Sequence, residues 1–361
     1  MKINRNKILT GFVGIVFALM CVLTWVLPDK EYSASERRPL KQSPELTTQT
    51  LLNGKFMSSF ESYSLDQFPF RDKLRALKAI TSLKADNNDI YVADRVINKM
   101  DYPLNNGSLI YASGRFLNVY NMYLKDKAEN IYLSIIPDKN YFYAEDNGYL
   151  AIDYDKLVSV MKDNNSYMTY IDIFPYLSGE DYYATDTHWK QENIEDVADT
   201  ILKSMGNEAS FSYKKTDMTE DFYGVYYGQA ALPLEADKIS YLTNDVIEKF
   251  IVFDHQNNKE IPVYNKEEMA SDDPYELFMG GPISLATIEN SSCDNGKHLV
   301  IFRDSFGSSI SPLLAQGYSK TTIIDIRYIM PQMLANLVDF EGADVLFMYS
   351  TSVLNNSETL K

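Results

Sequence analysis

The sequence predicts an α/β fold with a buried, largely parallel sheet, and two observations lead to this prediction. Short apolar runs, typical of strands buried on both faces, recur along the 361-residue chain from about residue 90. Helical stretches separate several of these runs, and such alternation favours a parallel sheet covered by helices. A long uncharged segment near the start adds a transmembrane helix before this domain.

The first segment is predicted to cross a membrane. Residues 8–27 carry no charge, and about 20 such residues are the length that a bilayer-spanning helix needs. Lys2, Arg5 and Lys7 precede the segment and Trp25 lies near its end, so the positive-inside rule places the rest of the chain outside the cytoplasm. No small-x-small cleavage site follows, which favours an uncleaved signal anchor over a cleaved signal peptide.

The distribution of apolar and polar residues along the chain predicts a division into three parts. Residues 1–28 form a cytoplasmic tail and the anchor, residues 29–90 an extracytoplasmic linker with amphipathic helices, and residues 91–361 the α/β domain. Within the linker, apolar side chains at helical spacing in 51–63 and 74–83 predict two short helices.

The elements of the third part follow from its apolar pattern. Strands are predicted at Ser108–Ala112, Ile131–Ile136, Thr169–Ile173, Leu299–Phe302, Thr321–Ile326 and Val345–Tyr349. Helices are predicted at Tyr111–Asp126, Tyr154–Asp163, Gln191–Met205, Ser308–Gln316 and Met330–Leu337. Residues 206–297 are less regular, which indicates insertions or an edge region.

Charge and cysteine content exclude several classes of protein. The net charge of -16 argues against a nucleic-acid partner, since phosphate binding needs clusters of Lys and Arg. It equally disfavours lying flat on an anionic membrane. Cys21 lies in the apolar segment and Cys293 in a polar stretch, so an internal disulfide framework is not expected.

One motif pairs a carboxylate with an imidazole in the stretch Asp181–Trp189. Alternate side chains of an extended segment point the same way, so Asp186 can reach His188. The chain turns helical from Gln191 onward, which places the pair on a loop that enters a helix, a common position for catalytic groups. The alternative is a histidine that is packed by Trp189 and caps structure.

The second motif is a serine that follows the apolar run Leu299–Phe302. A strand ending here, with a helix after it, puts the Ser305 hydroxyl at the carboxyl end of a sheet strand, where open α/β sheets build their sites. Together with Asp186 and His188 it supplies the parts of an activated-hydroxyl nucleophile. The alternative is that Asp304 or Ser305 caps the helix, which is compatible with the first interpretation.

These motifs resemble those of a known family. An Asp-x-His-Trp box, followed much later by a strand and Asp-Ser-Phe, is similar to the DHHW family of Gram-positive bacteria and to the alginate O-acetyltransferase proteins of the SGNH-hydrolase superfamily. Further matches cover most of the chain after the anchor, at Glu36–Leu40, Asp66–Arg71, Pro137–Lys139, Phe222–Gly224, Asp273–Tyr275, Gly280-Gly281 and Asp325–Tyr328. The resemblance implies an SGNH-hydrolase-like three-layer αβα domain with a permuted motif order.

The resemblance also implies a catalytic triad of Ser305, His188 and Asp186. Their order along the chain is the reverse of that in ordinary SGNH hydrolases, where the serine comes first. Thr187 replaces the first His of the box that names the family, a position without a role in the triad. Arg303 replaces the Gly of Gly-Asp-Ser, where it would either disturb the turn or bind an anionic sugar or an acetyl oxygen.

One element of the superfamily site has no match. The Asn of the oxyanion hole is missing from the pattern, and Gly280 or Gly281 is expected to supply a backbone N–H in its place.

The activity that the resemblance implies is O-acetylation of a surface or secreted polysaccharide by a membrane-anchored, extracytoplasmic enzyme that forms an acyl-enzyme. Acetyl-coenzyme A is absent outside the cell, so a polytopic membrane acyltransferase is implied as the partner that supplies acetyl groups. No metal or cofactor is implied. Two alternatives stay open: a carbohydrate acetylesterase with the same triad, and a catalytically silent, glycan-binding scaffold of the cell envelope.

Overall fold

The computed structural model describes residues 5–33, 35–82, 84, 85, 87 and 89–361. Lys2 and Leu83, which enter the predictions of the anchor and of the second linker helix, lie outside the described residues, as does the side chain of Trp25. The chain forms two compact units, one from residues 1–88 with 227–233 and one from residues 89–226 with 234–361.

The first unit is mainly helical. Its elements are α1 (Arg5–Val26), β1 (Tyr32–Ser33), β2 (Arg38–Pro39), α2 (Thr48–Leu52), α3 (Lys55–Asp66) and α4 (Arg71–Ser82). Helix α1 is long and apolar enough to cross a membrane over Lys7–Thr24, so it is a candidate single-pass anchor or signal sequence.

An ion-pair network joins two of the motif matches in this unit, Glu36–Leu40 and Asp66–Arg71. Arg38 donates to both carboxylate oxygens of Asp66, at 2.8 and 2.6 Å, and these hydrogen bonds lower the pKa of Asp66 to about 2. Glu36 in turn accepts from Arg71 and pairs with Arg75 at 3.2 Å. The Glu36-Arg-Arg stretch is thereby fixed to α3 and α4.

The second unit contains a mixed sheet. The strands that follow β2 along the chain are β3 (Ile90–Ala93), β4 (Val96–Lys99), β5 (Asn130–Ile136), β6 (Thr169–Ile171), β7 (Lys214–Asp217), β8 (Ser240–Thr243), β9 (Ile251–Asp254), β10 (Lys259–Ile261), β11 (Leu285–Glu289), β12 (His298–Arg303), β13 (Lys320–Ile324) and β14 (Asp344–Ser350). Within the described residues, eight of these form one sheet in the order β10-β9-β11-β13-β12-β14-β5-β6. The run from β13 to β6 is parallel, and β10, β9 and β11 join it antiparallel at one end.

Helices cover both faces of this sheet. The remaining α-helices among the described residues are α5 (Asn106–Val119), α6 (Asn140–Asn147), α7 (Tyr154–Asn164), α8 (Glu195–Ser204), α9 (Val225–Ala230), α10 (Gly307–Ala315) and α11 (Thr351–Asn355); most of α9 belongs to the first unit. Leu299 and Ile301 of β12 pack in a core cluster with α8 and α10, whereas Val300 and Phe302 pack in a second cluster with α5 and α7. The alternation of side chains along a strand accounts for this division, so the predicted α/β class is confirmed.

Two predictions of local structure need correction. The run Ser108–Ala112 is not a strand but part of α5, because its buried side chains recur at helical spacing toward Phe116. The helix predicted at Met330–Leu337 is a 3₁₀ segment, Pro331–Asn336. The stretch 206–297 was predicted to form insertions or an edge region, and its strands β9, β10 and β11 lie at one edge of the sheet, which confirms the edge region.

The direction of the parallel strands determines where the site lies. Strands β5, β12 and β14 run the same way and are paired in register, so their carboxyl ends meet at one edge. Asp138, Ser305 and Ser350 follow or end these strands at that edge. This is the position at which open α/β sheets place binding and catalytic groups.

Candidate active site

Ser305 lies in the turn between β12 and α10, with its side chain partly exposed. Its hydroxyl does not cap the helix. Asp304 fixes the turn instead: one carboxylate oxygen accepts the Phe306 N–H at 3.0 Å, and the other accepts the Ser350 N–H at 2.7 Å. The turn is therefore tied to β14, and the Ser305 hydroxyl remains available for another partner.

His188 contacts this hydroxyl. Its Nε2 lies 2.8 Å from the Ser305 Oγ, and its Nδ1 lies 2.6 Å from the Asp186 Oδ1. The same carboxylate oxygen accepts the backbone N–H of His188 at 3.0 Å, and the second oxygen accepts the N–H of Val225 at 2.9 Å. The structure thus joins Asp186, His188 and Ser305 in one hydrogen-bonded chain.

The environment of Asp186 keeps its carboxylate charged. Asp186 is 1% exposed, and burial alone would raise its pKa. The charge and hydrogen bond of His188, together with the backbone N–H groups of Val225 and His188, outweigh burial and hold the pKa of Asp186 well below its usual value. The ionised carboxylate favours a proton on His188 Nδ1, which leaves Nε2 free to accept the proton of Ser305.

The loop before His188 is held by Asp237, which local sequence patterns did not reveal, and is closely approached by Gly224. Asp237 accepts the N–H groups of Ala184 and Thr185, at 2.8 and 2.7 Å, and the Thr185 hydroxyl at 2.6 Å. Gly224 packs directly against Asp186, where an added Cβ would lie 2.2 Å from the Asp186 Cβ. The glycine of the Phe222–Gly224 match is therefore needed for this close approach.

Aromatic side chains orient the imidazole. The Tyr275 ring stacks on His188, with ring centroids 3.8 Å apart and planes 5° from parallel. The Tyr275 hydroxyl donates to the Ser309 Oγ at 2.9 Å, and the Trp189 indole N–H donates to the same oxygen at 2.8 Å. Ser309 belongs to α10, so these contacts fix His188 relative to the helix that follows Ser305.

The two glycines expected near an oxyanion are placed differently from each other. The Gly280 N–H donates to the carbonyl of Glu276 at 3.0 Å, so it is already used within its own turn. Gly281 has a φ of 92°, and the Glu276 side chain occupies the place where a Cβ would lie. Of these two glycines, only Gly281 stays a predicted oxyanion donor.

Arg303 is buried beneath the Ser305 turn. It is 1% exposed, and its Nη1 lies 3.3 Å from the Asp304 carbonyl and 3.5 Å from the Asp325 carboxylate. An added Cβ at Gly307 would lie 2.6 Å from the Arg303 Cβ, so this glycine makes room for the large side chain. Its guanidinium does not reach the solvent, and the binding of an anionic sugar or an acetyl oxygen by Arg303 stays a prediction.

A different backbone group fits the role of oxyanion donor. In the described part of the chain, the Ser305 N–H donates to no acceptor, while those of Phe306 and Gly307 are both bonded to Asp304. An unpaired N–H beside a nucleophile, at the start of a helix, can stabilise negative charge on a carbonyl oxygen.

The other two histidines lie on the sheet and away from this chain of hydrogen bonds. The His255 Nε2 lies 3.1 Å from the Thr287 hydroxyl, and the His298 Nε2 lies 2.8 Å from that of Thr322. Burial lowers the pKa of both, that of His298 to about 4. Among the described residues, no group of three or more His, Cys, Asp or Glu side chains is arranged to hold a metal ion.

Comparison with known proteins identifies similar folds. Neither a protein-family model nor a curated protein matches the chain. A DHHW family protein from Eubacterium siraeum matches 75% of this chain and 93% of its own, with 18% identity and a TM-score of 0.60. The fold is similar to that of a DHHW family protein.

The comparison also finds two further solved structures. Bacillus cereus PatB1, solved with a sulfonyl adduct, matches 73% of this chain and 95% of its own at 17% identity, with a TM-score of 0.59. The O-acetyltransferase domain of Pseudomonas putida AlgJ matches 74% of this chain and 92% of its own at 10% identity, with a TM-score of 0.44. At such identities the first two likenesses establish the fold, and the activity has to be argued from the residues of this chain.

Proposed function

We propose that this protein is a membrane-anchored, extracytoplasmic O-acetyltransferase that modifies a surface or secreted polysaccharide. The hydrogen-bonded chain from Asp186 through His188 to Ser305 is the observation on which the proposal rests. A charged, buried carboxylate, an oriented imidazole and a partly exposed hydroxyl are the components of a serine nucleophile. Because Asp186 and His188 precede Ser305, we further propose that this is an SGNH-like site with a permuted motif order.

In the first half of the reaction, the enzyme takes up an acetyl group. The Ser305 Oγ attacks the acetyl carbonyl while its proton passes to the His188 Nε2. Asp186 stabilises the resulting imidazolium, and the Ser305 N–H donates to the carbonyl oxygen as it becomes negative. The tetrahedral intermediate then expels the donor's oxygen, which takes the proton from His188 and leaves Ser305 acetylated.

In the second half, the acetyl group moves to the polysaccharide. A sugar hydroxyl gives its proton to His188 and attacks the acetyl carbonyl of the acyl-enzyme. The intermediate collapses by releasing the Ser305 oxygen, which recovers its proton from the imidazolium. Hydrolysis is the second candidate reaction, because the partial exposure of Ser305 also admits water as acceptor.

The apolar helix α1 supports the proposed location and, through it, the proposed acetyl donor. An exposed segment at Lys7–Thr24, preceded by basic residues, supports a single-pass anchor with the second unit outside the cytoplasm. Since acetyl-coenzyme A is absent there, the acetyl group has to arrive through the membrane. A polytopic membrane acyltransferase is the partner that this requirement favours.

The anchor is tested by extraction and protease access. We expect the protein to stay in the membrane fraction after alkaline carbonate washing, since α1 remains inserted. Residues after Pro28 should be cleaved by protease added to intact cells that lack a wall. A soluble mature chain that begins near residue 30 would contradict the anchor and indicate a cleaved signal sequence.

The acceptor is tested with the full-length protein in detergent and an activated acetyl ester. We expect added oligosaccharide to become acetylated, as followed by mass spectrometry, and the rate of ester cleavage to rise with acceptor concentration because deacylation then has a second route. Release of free acetate alone, at a rate that no oligosaccharide changes, would favour the esterase. No ester cleavage above that of Ser305→Ala would favour the glycan-binding scaffold.

A further inference from the structure

A buried lysine lies next to the loop that carries Asp186 and His188. Lys139 follows β5 at the same sheet edge as Ser305, and it is 2% exposed. Among the described residues, no carboxylate lies within ion-pair distance of its ammonium group. A buried ammonium group whose nearest carboxylates lie beyond ion-pair distance is costly. The presence of a lysine here therefore needs an explanation, since an apolar side chain of equal length would avoid this cost.

The contacts of this amine provide one. The Lys139 Nζ donates to the backbone carbonyl of Tyr183 at 2.8 Å and lies 3.4 Å from that of Ala184. These carbonyls immediately precede the segment that ends in His188. The amine also lies 5.1 Å from the centre of the Tyr226 ring.

Tyr226 belongs to the same arrangement. Its backbone N–H donates to the Thr185 carbonyl at 3.0 Å, and its hydroxyl donates to the Thr187 hydroxyl at 3.1 Å. Lys139 and Tyr226 therefore hold consecutive parts of the loop between Tyr183 and His188. The tyrosine whose ring lies near the ammonium group is thus itself hydrogen-bonded to the loop.

The backbone that carries the Lys139 side chain is fixed relative to the sheet. The neighbouring Asp138 accepts the Thr351 hydroxyl at 2.6 Å, the Tyr154 hydroxyl at 2.9 Å and the Asn140 N–H at 2.8 Å. These bonds fix the backbone directly after β5. The Lys139 side chain therefore links this fixed end of β5 to the loop that carries His188.

We propose that Lys139 is a positioning residue, which holds the loop bearing Asp186 and His188 in place for Ser305 and makes acyl transfer depend on its own protonation. This inference rests on the proposed function. The ammonium form makes charge-assisted hydrogen bonds to the two carbonyls, and these weaken when the amine loses its proton.

Burial makes this change of charge accessible near neutral pH. It lowers the pKa of Lys139 to about 7, although several surrounding charges act on it in both directions. The charged groups that face it are Asp186, Asp237 and Asp138, which favour the ammonium, and Lys190, which opposes it. Since the pKa is lowered in the folded protein, the charged form is present below about pH 7 and is lost above it.

The test compares Lys139→Met with the parent and with Lys162→Met. Lys162 is an exposed lysine whose ammonium also lies 5.1 Å from a tyrosine ring, that of Tyr170, so it controls for the substitution itself. Cleavage of an activated acetyl ester by the full-length protein is measured across neutral pH. Below pH 7 we expect Lys139→Met to lose on the order of 10- to 100-fold in kcat/KM, because the imidazole is less well placed.

The pH profile separates positioning from a merely structural role. The parent should lose activity as pH rises through the pKa of Lys139, whereas folded Lys139→Met should lack this alkaline decrease. Hydrogen exchange of residues 183–188 should be faster in Lys139→Met than in the parent or Lys162→Met. Lys139→Gln, which keeps an N–H donor but no charge, should also lack the alkaline decrease. This variant replaces Lys139→Met in the test if the methionine variant does not fold.

Three outcomes decide the inference. Equal activity and an unchanged pH profile in Lys139→Met would overturn it, as would a parent profile without an alkaline decrease. Unchanged hydrogen exchange in the loop would overturn it even if activity fell. Failure of the proposed function is distinguished by Ser305→Ala: if the parent cleaves esters no faster than this variant, the acyltransferase itself is wrong, while hydrogen exchange still tests whether Lys139 holds the loop.

Discussion

Replacing Ser305 by alanine is expected to reduce acetyl transfer by at least about 10³-fold, because the substitution removes the atom that carries the acetyl group. His188→Ala should have an effect of the same order, since the hydroxyl then lacks the base that lies 2.8 Å from it. The two residues act as a unit, so the double variant should be little worse than either single one. The rate of activated-ester cleavage is to be measured for the two single variants and for the double variant.

His255→Ala is the matched control for His188→Ala. His255 lies on the sheet beside Thr287 and contacts no member of the hydrogen-bonded chain, so its loss should leave activity near that of the parent. Circular dichroism establishes that each variant is folded. A folded Ser305→Ala protein that transfers acetyl groups as fast as the parent would show that the nucleophile is another residue.

Asp186→Asn is expected to lower the rate by about 10²- to 10⁴-fold while leaving the fold intact. One carboxylate oxygen accepts two N–H groups of His188 and the other accepts that of Val225, so an amide cannot satisfy both sides. Placing the amide oxygen toward His188 keeps two of the three bonds but turns the NH₂ group against the Val225 N–H. The negative charge that stabilises the imidazolium is lost in either orientation.

The measurement for Asp186→Asn is kcat and KM for the activated ester. A fall in kcat with little change in KM is expected, because the carboxylate acts on the charge that develops during the reaction. Activity equal to that of the parent would mean that Asp186 neither orients nor stabilises His188. A variant that has lost its near-ultraviolet circular dichroism would instead report damage to the buried site.

The α/β class and the position of Ser305 were accessible from the sequence because each rests on local patterns. The strand β12 is an apolar run that ends at the Asp304-Ser305 turn. The parallel strands β12 and β14 are long enough for their continuous apolar sequences to indicate burial on both faces. The strand predicted at Ser108–Ala112 was wrong since a short apolar run is compatible with a helix, and the buried positions of α5 continue to Phe116.

The rest of the site depends on contacts between distant parts of the chain. Lys139 is close to Tyr183 only because β5 ends at the same edge as β12, and no spacing in the sequence shows this. Asp237 and Tyr275 likewise reach the His188 loop from the irregular stretch between residues 206 and 297. The motif matches at Pro137–Lys139 and Asp273–Tyr275 were the signals that could have identified two of these residues.

The most direct test of the central claim is to identify the residue that becomes acetylated. The full-length protein is mixed briefly with an activated acetyl ester, quenched in acid and analysed by peptide mass spectrometry. We predict an acetyl group on Ser305 that is lost on addition of oligosaccharide acceptor and that does not form in His188→Ala. A sulfonyl fluoride should block this labelling by modifying the same residue. Ester turnover without any acetyl group on Ser305, or with a stable, transfer-competent acetyl group on another side chain, would contradict the proposed mechanism.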